Sequence, residues 1–362
     1  MKKILAIFLM ALTSITITGC NRVELRFYNW GDYIDVDLVR EFEKEYGIRV
    51  KTTYFSSNED AVQKVKMGEQ YDLMIPSEYA VEQMMMEGLL EKIDWSMVTS
   101  MAKSDLADCV LEMVDSLKTS TNGYDFLEYA VPYFFGNVGL LYNNTIAGIE
   151  DDIIASEWGV LTNSKYKVTL YDTSREGFLV ALKELGYSMN SNNETQINEA
   201  KTWLLNLISS KKGSGKIELI TDQVLYEMNE SEHMKYDIVV AYSGDSMNLM
   251  LENEKLSFYI PTTKGTNVWV DGFVIPKGGN EELAYKFISF MMEKENAIRS
   301  TEYVGYSSPR QDVIDAVTAD GELFADFKDI YNFEIQPKDE FYRHDSTTKA
   351  LIDNAWLVIK AS

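Results

Sequence analysis

Residues 23–79 read VELRFYNWGDYIDVDLVREFEKEYGIRVKTTYFSSNEDAVQKVKMGEQYDLMIPSEY, and this stretch indicates the fold class. Three short runs of apolar and β-branched residues predict strands: Val23 to Asn29, Ile48 to Tyr54 and Asp72 to Pro76. Between them, Asp35 and Asn58 are candidate N-caps of two helices, and Gly47 is a candidate stop for the first helix. This alternation of strands and helices is typical of a parallel sheet covered by helices.

The same alternation returns later in the chain. Further strands are predicted at Lys167 to Tyr171, Asp237 to Tyr242, Leu256 to Ile260 and Val268 to Ile275. Helices are predicted at Ser174 to Leu185 and at Glu281 to Met292. No repeat and no Pro- or Ser-rich linker separates the two regions. We therefore expect an α/β protein with two closely spaced lobes and a cleft between them.

The N-terminus has the pattern of an export signal. Lys2 and Lys3 precede an apolar run from Ile4 to Leu12, which is too short to span a bilayer, and a small residue, Gly19, stands before Cys20. This looks like a bacterial lipoprotein signal over residues 1–19, with Cys20 as the lipidation site and an extracytoplasmic, membrane-anchored protein as the product. The alternative is an ordinary secretory signal with an incidental cysteine.

Charge and composition exclude several classes of function. The 19 residues before Cys20 leave 343 of 362, and loss of Lys2 and Lys3 changes the formal charge from −23 to −25. Such a chain repels nucleic acid and attracts cations. Beyond Cys20 only Cys109 remains, and we expect a structural thiol and no disulfide. The two histidines, at positions 233 and 344, are isolated, so we expect no zinc site, no catalytic triad and no cofactor.

Ligands of parallel sheets bind beyond the carboxyl ends of the strands, and acids and aromatics dominate there in this chain. These residues are Trp30, Asp32, Tyr33, Ser77, Tyr79, Asp172, Glu176, Tyr242 and Asp245, together with Trp269 and Asp271 on the strand before Gly272. Cationic residues are nearly absent, with Arg175 the exception. Carboxylates accept hydrogen bonds from ammonium groups, and aromatic faces attract cations and cover methylenes. This set of side chains favours an elongated organic cation over an anion.

Several of these residues also have a purely structural interpretation. The segment from Trp30 to Tyr33 could be a turn with a packed tryptophan, and Asp271 before Gly272 could serve a turn. Glu176 could stabilise its helix by interacting with the positive end of the helix dipole, and Asp245 could be a helix N-cap.

Five segments, taken together and in order, resemble the spermidine/putrescine-binding proteins, the extracytoplasmic receptors of polyamine ABC importers. They are Phe27 to Tyr33 (FYNWGDY), Phe55 to Glu59 (FSSNE), Asp72 to Ser77 (DLMIPS), Trp269 to Asp271 (WVD) with Ile275-Pro276, and Gly305 to Pro309 (GYSSP). The resemblance implies a type II periplasmic-binding-protein fold with two lobes joined by crossing strands. It places one lobe at 23–131 with 270–314 and the other at 132–269 with 315–362. It also implies a monomer that closes on its ligand, and a membrane permease that recognises the closed form.

The resemblance assigns a role to each candidate side chain. Trp30 and Tyr33 are expected to stack along the polyamine chain, and Trp269 is expected to form a wall of the site. Tyr306 matches a tyrosine of the family's cleft, and Tyr242 stands where relatives usually have Trp. Those expected to bind its amino groups are Asp32, Glu176, Asp245 and Asp271. Ser77 and Tyr79 are expected to contribute hydroxyl contacts.

Departures from the family leave the preferred polyamine open. Gly31 stands where relatives carry Ser or Thr, and Thr173 stands where spermidine-preferring members carry a second acid. Asp245 resembles the arrangement of putrescine-preferring members. The mixed pattern leans toward putrescine, with spermidine as the other candidate.

Two other classes of function compete with a polyamine receptor. One is a receptor of the same architecture for ferric iron, an anion or a sugar. The other is an exported hydrolase that uses Asp271 and Glu176 as paired carboxylates. Iron would favour clustered Tyr or His ligands and an anion would need Arg or Lys, and neither set is present among the candidate residues.

Overall fold

The structure, a computed structural model, describes residues 23–119, 123–221, 225 and 234–362. The predicted signal segment, Cys20 and His233 lie outside the described residues. Within that part of the chain, no helix combines the length and the apolar character needed to cross a membrane.

The N-terminal region forms a three-stranded sheet with the strand order β2-β1-β3. Its elements are β1 (Glu24–Trp30), α1 (Val36–Tyr46), β2 (Arg49–Phe55), α2 (Asn58–Lys66), β3 (Leu73–Met74) and α3 (Glu78–Met86). Strand β1 pairs in parallel with both neighbours, so all three carboxyl ends meet at one edge. As predicted, Asp35 caps α1 by accepting a hydrogen bond from the Asp37 amide at 2.8 Å, and Gly47 ends the helix with a φ of 68°.

The predicted cap of α2 is wrong by one residue. Ser57 is the N-cap and accepts a hydrogen bond from the Asp60 amide, whereas Asn58 is the first helical residue. The Asn58 side chain instead contacts Ser77 and Tyr79. A serine hydroxyl caps a helix as well as an amide does, so local sequence alone could not separate the two choices.

The second sheet has the strand order β6-β5-β7-β4-β8, with β9 paired to the first half of β4. Its strands are β4 (Val131–Asn143), β5 (Val168–Tyr171), β6 (Ile217–Ile220), β7 (Ile238–Tyr242), β8 (Leu256–Tyr259) and β9 (Val268–Phe273). The β5 pairings with β6 and β7 are parallel, and the pairings of β4 are antiparallel. Helices α4 (Asp108–Thr119) and α5 (Phe126–Tyr129) pack against each other, and α5 contacts α3 of the first region. The helices that accompany the strands of the second sheet are α6 (Ile149–Ser156), α7 (Ser174–Glu184), α8 (Glu194–Lys212) and α9 (Ser243–Glu252).

Strand β4 connects the two regions of the molecule. Its first residues, 131–137, pair with β9, and its last residues, 138–143, pair with β7 and β8. Strand β9 in turn approaches the first sheet through isolated bridges at Ser77–Asp271 and Met74–Val274. The strand was not predicted, and its 13 residues are almost all buried. Two crossing strands, β4 and β9, therefore bring the edges of the two sheets together.

The C-terminal region is helical. Its elements are α10 (Glu281–Met291), α11 (Lys294–Val304), α12 (Gln311–Val317), α13 (Lys328–Tyr331) and α14 (Ser346–Lys360). Helix α10 buries Phe287 against Phe27 of β1, at a ring-centroid distance of 5.2 Å, whereas α14 buries Trp356 in the core beneath the second sheet. The C-terminal third thus returns to both sheets, and the predicted α/β fold class is confirmed.

Cys109 lies on α4 and is partly buried. Burial raises the pKa of its thiol to about 11, which keeps the group protonated at neutral pH. This agrees with the predicted structural thiol.

Candidate functional site

Several of the candidate residues lie where strands end and helices begin. Trp30 is the last residue of β1, and Ser77 and Tyr79 stand at the start of α3. Tyr242 ends β7 and is the N-cap of α9, while Glu176 lies in the first turn of α7. All of these positions follow from strand-to-helix connections, which place side chains at the carboxyl edge of a sheet.

Trp269 and Asp271 lie within β9, on the same face of the strand because side chains alternate along it. Asp271 is only 5% exposed. Since it is inside a strand and bridges to Ser77, the interpretation of Asp271 as turn chemistry is wrong. Strand pairing, and not the adjacent glycine, holds this carboxyl in place.

Aromatic rings form a continuous wall around this point. The Trp269 and Tyr306 ring centroids are 5.0 Å apart and nearly perpendicular, and Tyr33 contacts Tyr306 edge to face at 5.8 Å. Tyr242 meets Trp269 at 6.2 Å, also edge to face. Trp30 packs against Phe55 at 4.4 Å. The edge-to-face contacts fix the ring planes and bring Tyr33, Tyr242, Trp269 and Tyr306 together.

Three acids lie among these rings. Tyr242 donates a hydrogen bond to Glu176 at 2.6 Å, and Tyr306 donates one to Asp245 at 3.0 Å. Burial raises the pKa of Glu176 above its ordinary value, although the Tyr242 hydroxyl opposes that shift. Asp245 lies in the first turn of α9, whose N-cap is Tyr242, so the interpretation of Asp245 as the N-cap is wrong.

The pKa of the Asp271 carboxyl is strongly raised. Burial raises the pKa of its carboxyl to about 7, against the opposing effect of the Ser77 and Tyr33 hydroxyls. Among the described residues, its Oδ1 atom and the indole nitrogens of Trp30 and Trp269 are buried without a hydrogen-bond partner. Buried polar atoms are usually paired, so a buried carboxylate oxygen of this kind favours a positively charged hydrogen-bond donor.

Asp32 differs from the other candidates. It is exposed, and its φ of 49° places it in the left-handed region as part of the turn after β1. Asp and Asn tolerate this conformation better than most residues, which accounts for an acid at this position. Its contact with a ligand amine stays a prediction.

Glu78 belongs to the site and was not predicted. It is fully buried, and its Oε2 atom accepts a hydrogen bond from the Val270 amide at 3.2 Å, between Trp269 and Asp271. Burial and the neighbouring Asp271 carboxyl raise its pKa well above the ordinary value. An acid in a first helical turn normally signals an exposed residue that complements the helix dipole, so no local signal marked Glu78 as buried.

Asn58 supports both candidate hydroxyls of the first sheet. Its Nδ2 atom donates to the Ser77 hydroxyl and to the Tyr79 hydroxyl, each at 3.0 Å, and its Oδ1 atom accepts from the Ser77 amide at 3.2 Å. Asn58 is 2% exposed, so water cannot replace these bonds easily. Its side chain therefore holds Ser77 and Tyr79 in one arrangement.

We expect Asn58→Ala to lower the free energy of unfolding by about 1 to 3 kcal/mol, because three hydrogen-bonding groups of the half-buried Ser77 and Tyr79 lose the buried Asn58 side chain as their partner. Urea denaturation monitored by circular dichroism measures this change. The control is Asn198→Ala at an exposed position of α8, where alanine favours the helix and no loss is expected. Equal stability of Asn58→Ala and the wild-type protein would show that these bonds do not hold the site.

Two sheets meeting through crossing strands, with buried acids and aromatic side chains between them, are the architecture of a solute receptor. The family model for bacterial extracellular solute-binding proteins matches residues 37–325, and the chain belongs to this family. The fold is that of the type II periplasmic binding proteins.

Similar proteins include two curated relatives and one solved structure. The spermidine/putrescine-binding periplasmic protein of Escherichia coli is 28% identical over 321 residues, which cover 86% of each chain. The putrescine/cadaverine-binding protein of Pseudomonas aeruginosa is 29% identical over 328 residues, or 85% of each chain. The structure of the spermidine/putrescine ABC transporter substrate-binding protein of Streptococcus pneumoniae is 30% identical, with a TM-score of 0.68, and the alignment covers 94% of this chain and 99% of that one.

Proposed function

We propose that this protein captures a polyamine, putrescine or spermidine or both, outside the cytoplasm and delivers it to the permease of an ABC importer. The observation that carries the proposal is the Asp271 carboxyl, which is buried beside Trp269 and has an oxygen without a hydrogen-bond partner among the described residues. A protonated amine supplies both the charge and the hydrogen bond that this oxygen needs. The names of the similar proteins support the same ligand class.

The other candidate side chains fit the rest of such a ligand. Glu176 and Asp245 offer further carboxylates for a second amino group, each oriented by a tyrosine hydroxyl. The rings of Tyr33, Trp269 and Tyr306 present apolar surface for the methylene chain and attract its charged ends. Mutual repulsion among the acids would be relieved by a bound dication.

We further propose that the chain forms two lobes, 23–131 with 270–314 and 132–269 with 315–362, which close on the ligand by a hinge motion. Strands β4 and β9 cross near the proposed boundaries and are the natural position for the hinge. A ligand that contacts both lobes binds the closed form better, and the permease would recognise that form.

We propose that residues 1–19 are an export signal and that Cys20 carries the lipid that anchors the protein at the membrane. The basic start, the short apolar run and Cys20 support this proposal, as does the extracellular family. We also propose that the receptor acts as a monomer and without catalysis, as a binding protein.

A thermal-unfolding panel tests the proposed ligand. We expect putrescine or spermidine at about 100 times the dissociation constant to stabilise the protein by about 2.7 kcal/mol and to raise its melting temperature by a few degrees. Cadaverine, spermine, agmatine, ferric citrate and several sugars complete the panel. A shift with iron or a sugar and none with any polyamine would refute the proposal, and turnover of a glycoside would favour the hydrolase.

We expect the affinity for putrescine to fall about tenfold between about pH 8 and about pH 6, because the Asp271 carboxyl, with a pKa of about 7, must lose its proton to bind an amine. Isothermal titration calorimetry at constant ionic strength measures the affinity. Repeating the titration in buffers of different ionisation enthalpy measures the proton released on binding at the lower pH. An affinity that stays constant across this range would contradict the assignment of Asp271 as the amine partner.

A further inference from the structure

The side chain of Arg343 forms a largely buried ion pair with Glu82 of α3. Its Nη2 atom lies 2.6 Å from Oε1 of Glu82, and Oε2 of Glu82 accepts a hydrogen bond from the His344 amide at 3.1 Å. The Nη1 atom donates to the Leu117 carbonyl of α4 at 3.3 Å, and the guanidinium carbon lies 5.9 Å from the centre of the Tyr124 ring. The side chains of Arg343 and Glu82 are only 18% and 8% exposed. Each charge of the pair therefore has its main partner in the other, with further hydrogen bonds around both.

The two partners belong to different regions of the molecule. Glu82 lies on α3, which packs beside the first sheet. The backbone of Arg343 is held by the second region, because its amide donates to Oδ1 of Asn190, between α7 and α8, at 2.9 Å. Nδ2 of Asn190 donates in turn to the Phe341 carbonyl at 2.7 Å, and Tyr342 packs in the core beneath the second sheet. Arg343 is thus anchored in one region by its backbone and bound to the other by its side chain.

This ion pair lies beside the proposed ligand site. Glu82 is about one turn of α3 beyond Tyr79, and Arg343 directly follows Tyr342. The Tyr79 and Tyr342 rings meet edge to face at 5.9 Å. The segment that carries Arg343 therefore meets α3 at two neighbouring points, one aromatic and one ionic.

An ion pair of this kind acts on the arrangement of the two regions. While the regions are in contact, each buried charge needs its partner, because a buried charge without one carries a large desolvation cost. When the regions separate, water can solvate both groups. We propose that Arg343 and Glu82 form a latch that favours the closed arrangement of the two lobes. The inference rests on the proposed lobes and their hinge motion, and it makes Arg343 and Glu82 positioning residues for ligand capture.

A latch has a different signature from a ligand contact. It changes the fraction of the protein in the closed arrangement, and that fraction scales the apparent affinity of every ligand by the same factor. A side chain that touches the ligand would instead affect a diamine and a triamine differently, since the two differ in length and charge. The ratio of the two affinities therefore separates the two roles.

The test measures the affinities of putrescine and spermidine by isothermal titration calorimetry. We expect Arg343→Gln and Glu82→Gln each to weaken both ligands by at least about tenfold and to keep their ratio within about twofold, because each variant leaves one buried charge unpaired only in the closed arrangement. The double variant should lose less than the product of the two single losses, since it leaves neither charge unpaired. Glu82→Gln also covers the case in which Arg343→Gln does not fold.

The matched control is Arg26→Gln. It breaks a two-pronged ion pair between Arg26 and Asp72, but both partners belong to the first sheet and its connections. Any loss of stability in this variant should leave both affinities unchanged. Small-angle X-ray scattering gives a readout without ligand: the radius of gyration should increase in Arg343→Gln and stay at the wild-type value in Arg26→Gln.

The outcomes separate this inference from the proposed function. If the wild-type protein binds a polyamine but both single latch variants keep its affinity, or if they change the ratio of the two affinities, the latch is refuted and the receptor function stands. A wild-type protein that binds neither polyamine would refute the proposed function. The latch would then be decided by scattering, where equal radii of gyration for Arg343→Gln and the wild-type protein would overturn it.

Discussion

Asp271→Asn is expected to weaken putrescine binding by about 100-fold or more, which corresponds to about 3 kcal/mol. The substitution keeps the shape of the side chain but removes the charge that meets the amine. Because Asp271 is almost completely buried, water does not screen its interaction with a ligand. Isothermal titration calorimetry of the two proteins measures the loss, and a change below about threefold would exclude Asp271 as a main contact.

The same substitution should not destabilise the free protein. The pKa of Asp271 is about 7 in the folded state, against about 3.9 for an unfolded chain, so folding is penalised once the carboxyl ionises. The penalty is absent below about pH 4, grows as the pH rises, and is complete above about pH 7. Asp271→Asn should therefore be at least as stable as the wild-type protein at about pH 8. Its advantage should shrink toward about pH 5.

A surface acid provides the matched control for both readouts. Asp37 is 65% exposed and pairs with Arg40 within the first turns of α1. Asp37→Asn removes the same charge at a position that is far less buried. Neither the affinity for putrescine nor the pH dependence of unfolding should therefore change appreciably. A parallel loss of affinity in Asp37→Asn would mean that net charge, and not the buried carboxyl, controls binding.

Gly244→Ala is expected to have the second large effect. A Cβ atom at this position would overlap the Tyr306 ring, which lies against the first turn of α9. Tyr306 would have to move away from Trp269 and from Asp245, to which its hydroxyl donates. We expect a loss of about 1 to 3 kcal/mol in the free energy of unfolding and at least a tenfold loss of putrescine affinity.

Urea denaturation and calorimetry measure the two consequences of Gly244→Ala separately. The control is Gly213→Ala after α8, where no atom lies within 4 Å of the added Cβ atom and the backbone φ is −64°. That change should be neutral or slightly stabilising. If Gly244→Ala bound putrescine as the wild-type protein does, the position of the Tyr306 ring would be irrelevant to binding.

Much of the fold was predictable because its signals are local. The first three strands were each placed within one or two residues, and the N-cap and stop of α1 were correct. These features depend on residues that are close together in sequence, such as the Asp35 carboxylate and the Asp37 amide. The error at α2 arose because Ser57 and Asn58 are both suitable N-caps. The Asn58 side chain instead forms a hydrogen bond with Tyr79, which is distant in sequence.

The candidate site was predictable as a set of residue types, but its geometry was not. Local patterns indicated residues at or just after strand ends, such as Tyr242 and Glu176, and the acid Asp271 within a predicted strand. They could not indicate that Glu78 is buried against the Val270 amide, because that contact joins residues 192 positions apart. Nor did they reveal β4, whose long buried run has no period that separates a strand from a helix.

The sequence by itself determined the α/β class, the parallel order of the first sheet, the acid and aromatic character of the candidate site, and the resemblance to polyamine receptors. Only the tertiary structure decided which of these side chains are in contact and which acids are buried away from solvent. It also decided that Arg175 is enclosed by Glu59, Tyr79 and Tyr342. The physical reason is that hydrophobic periodicity and helix capping depend on residues only a few positions apart, so they determine local secondary structure. Burial, ring contacts and pKa shifts arise instead from groups that strand crossing brings together from distant parts of the chain.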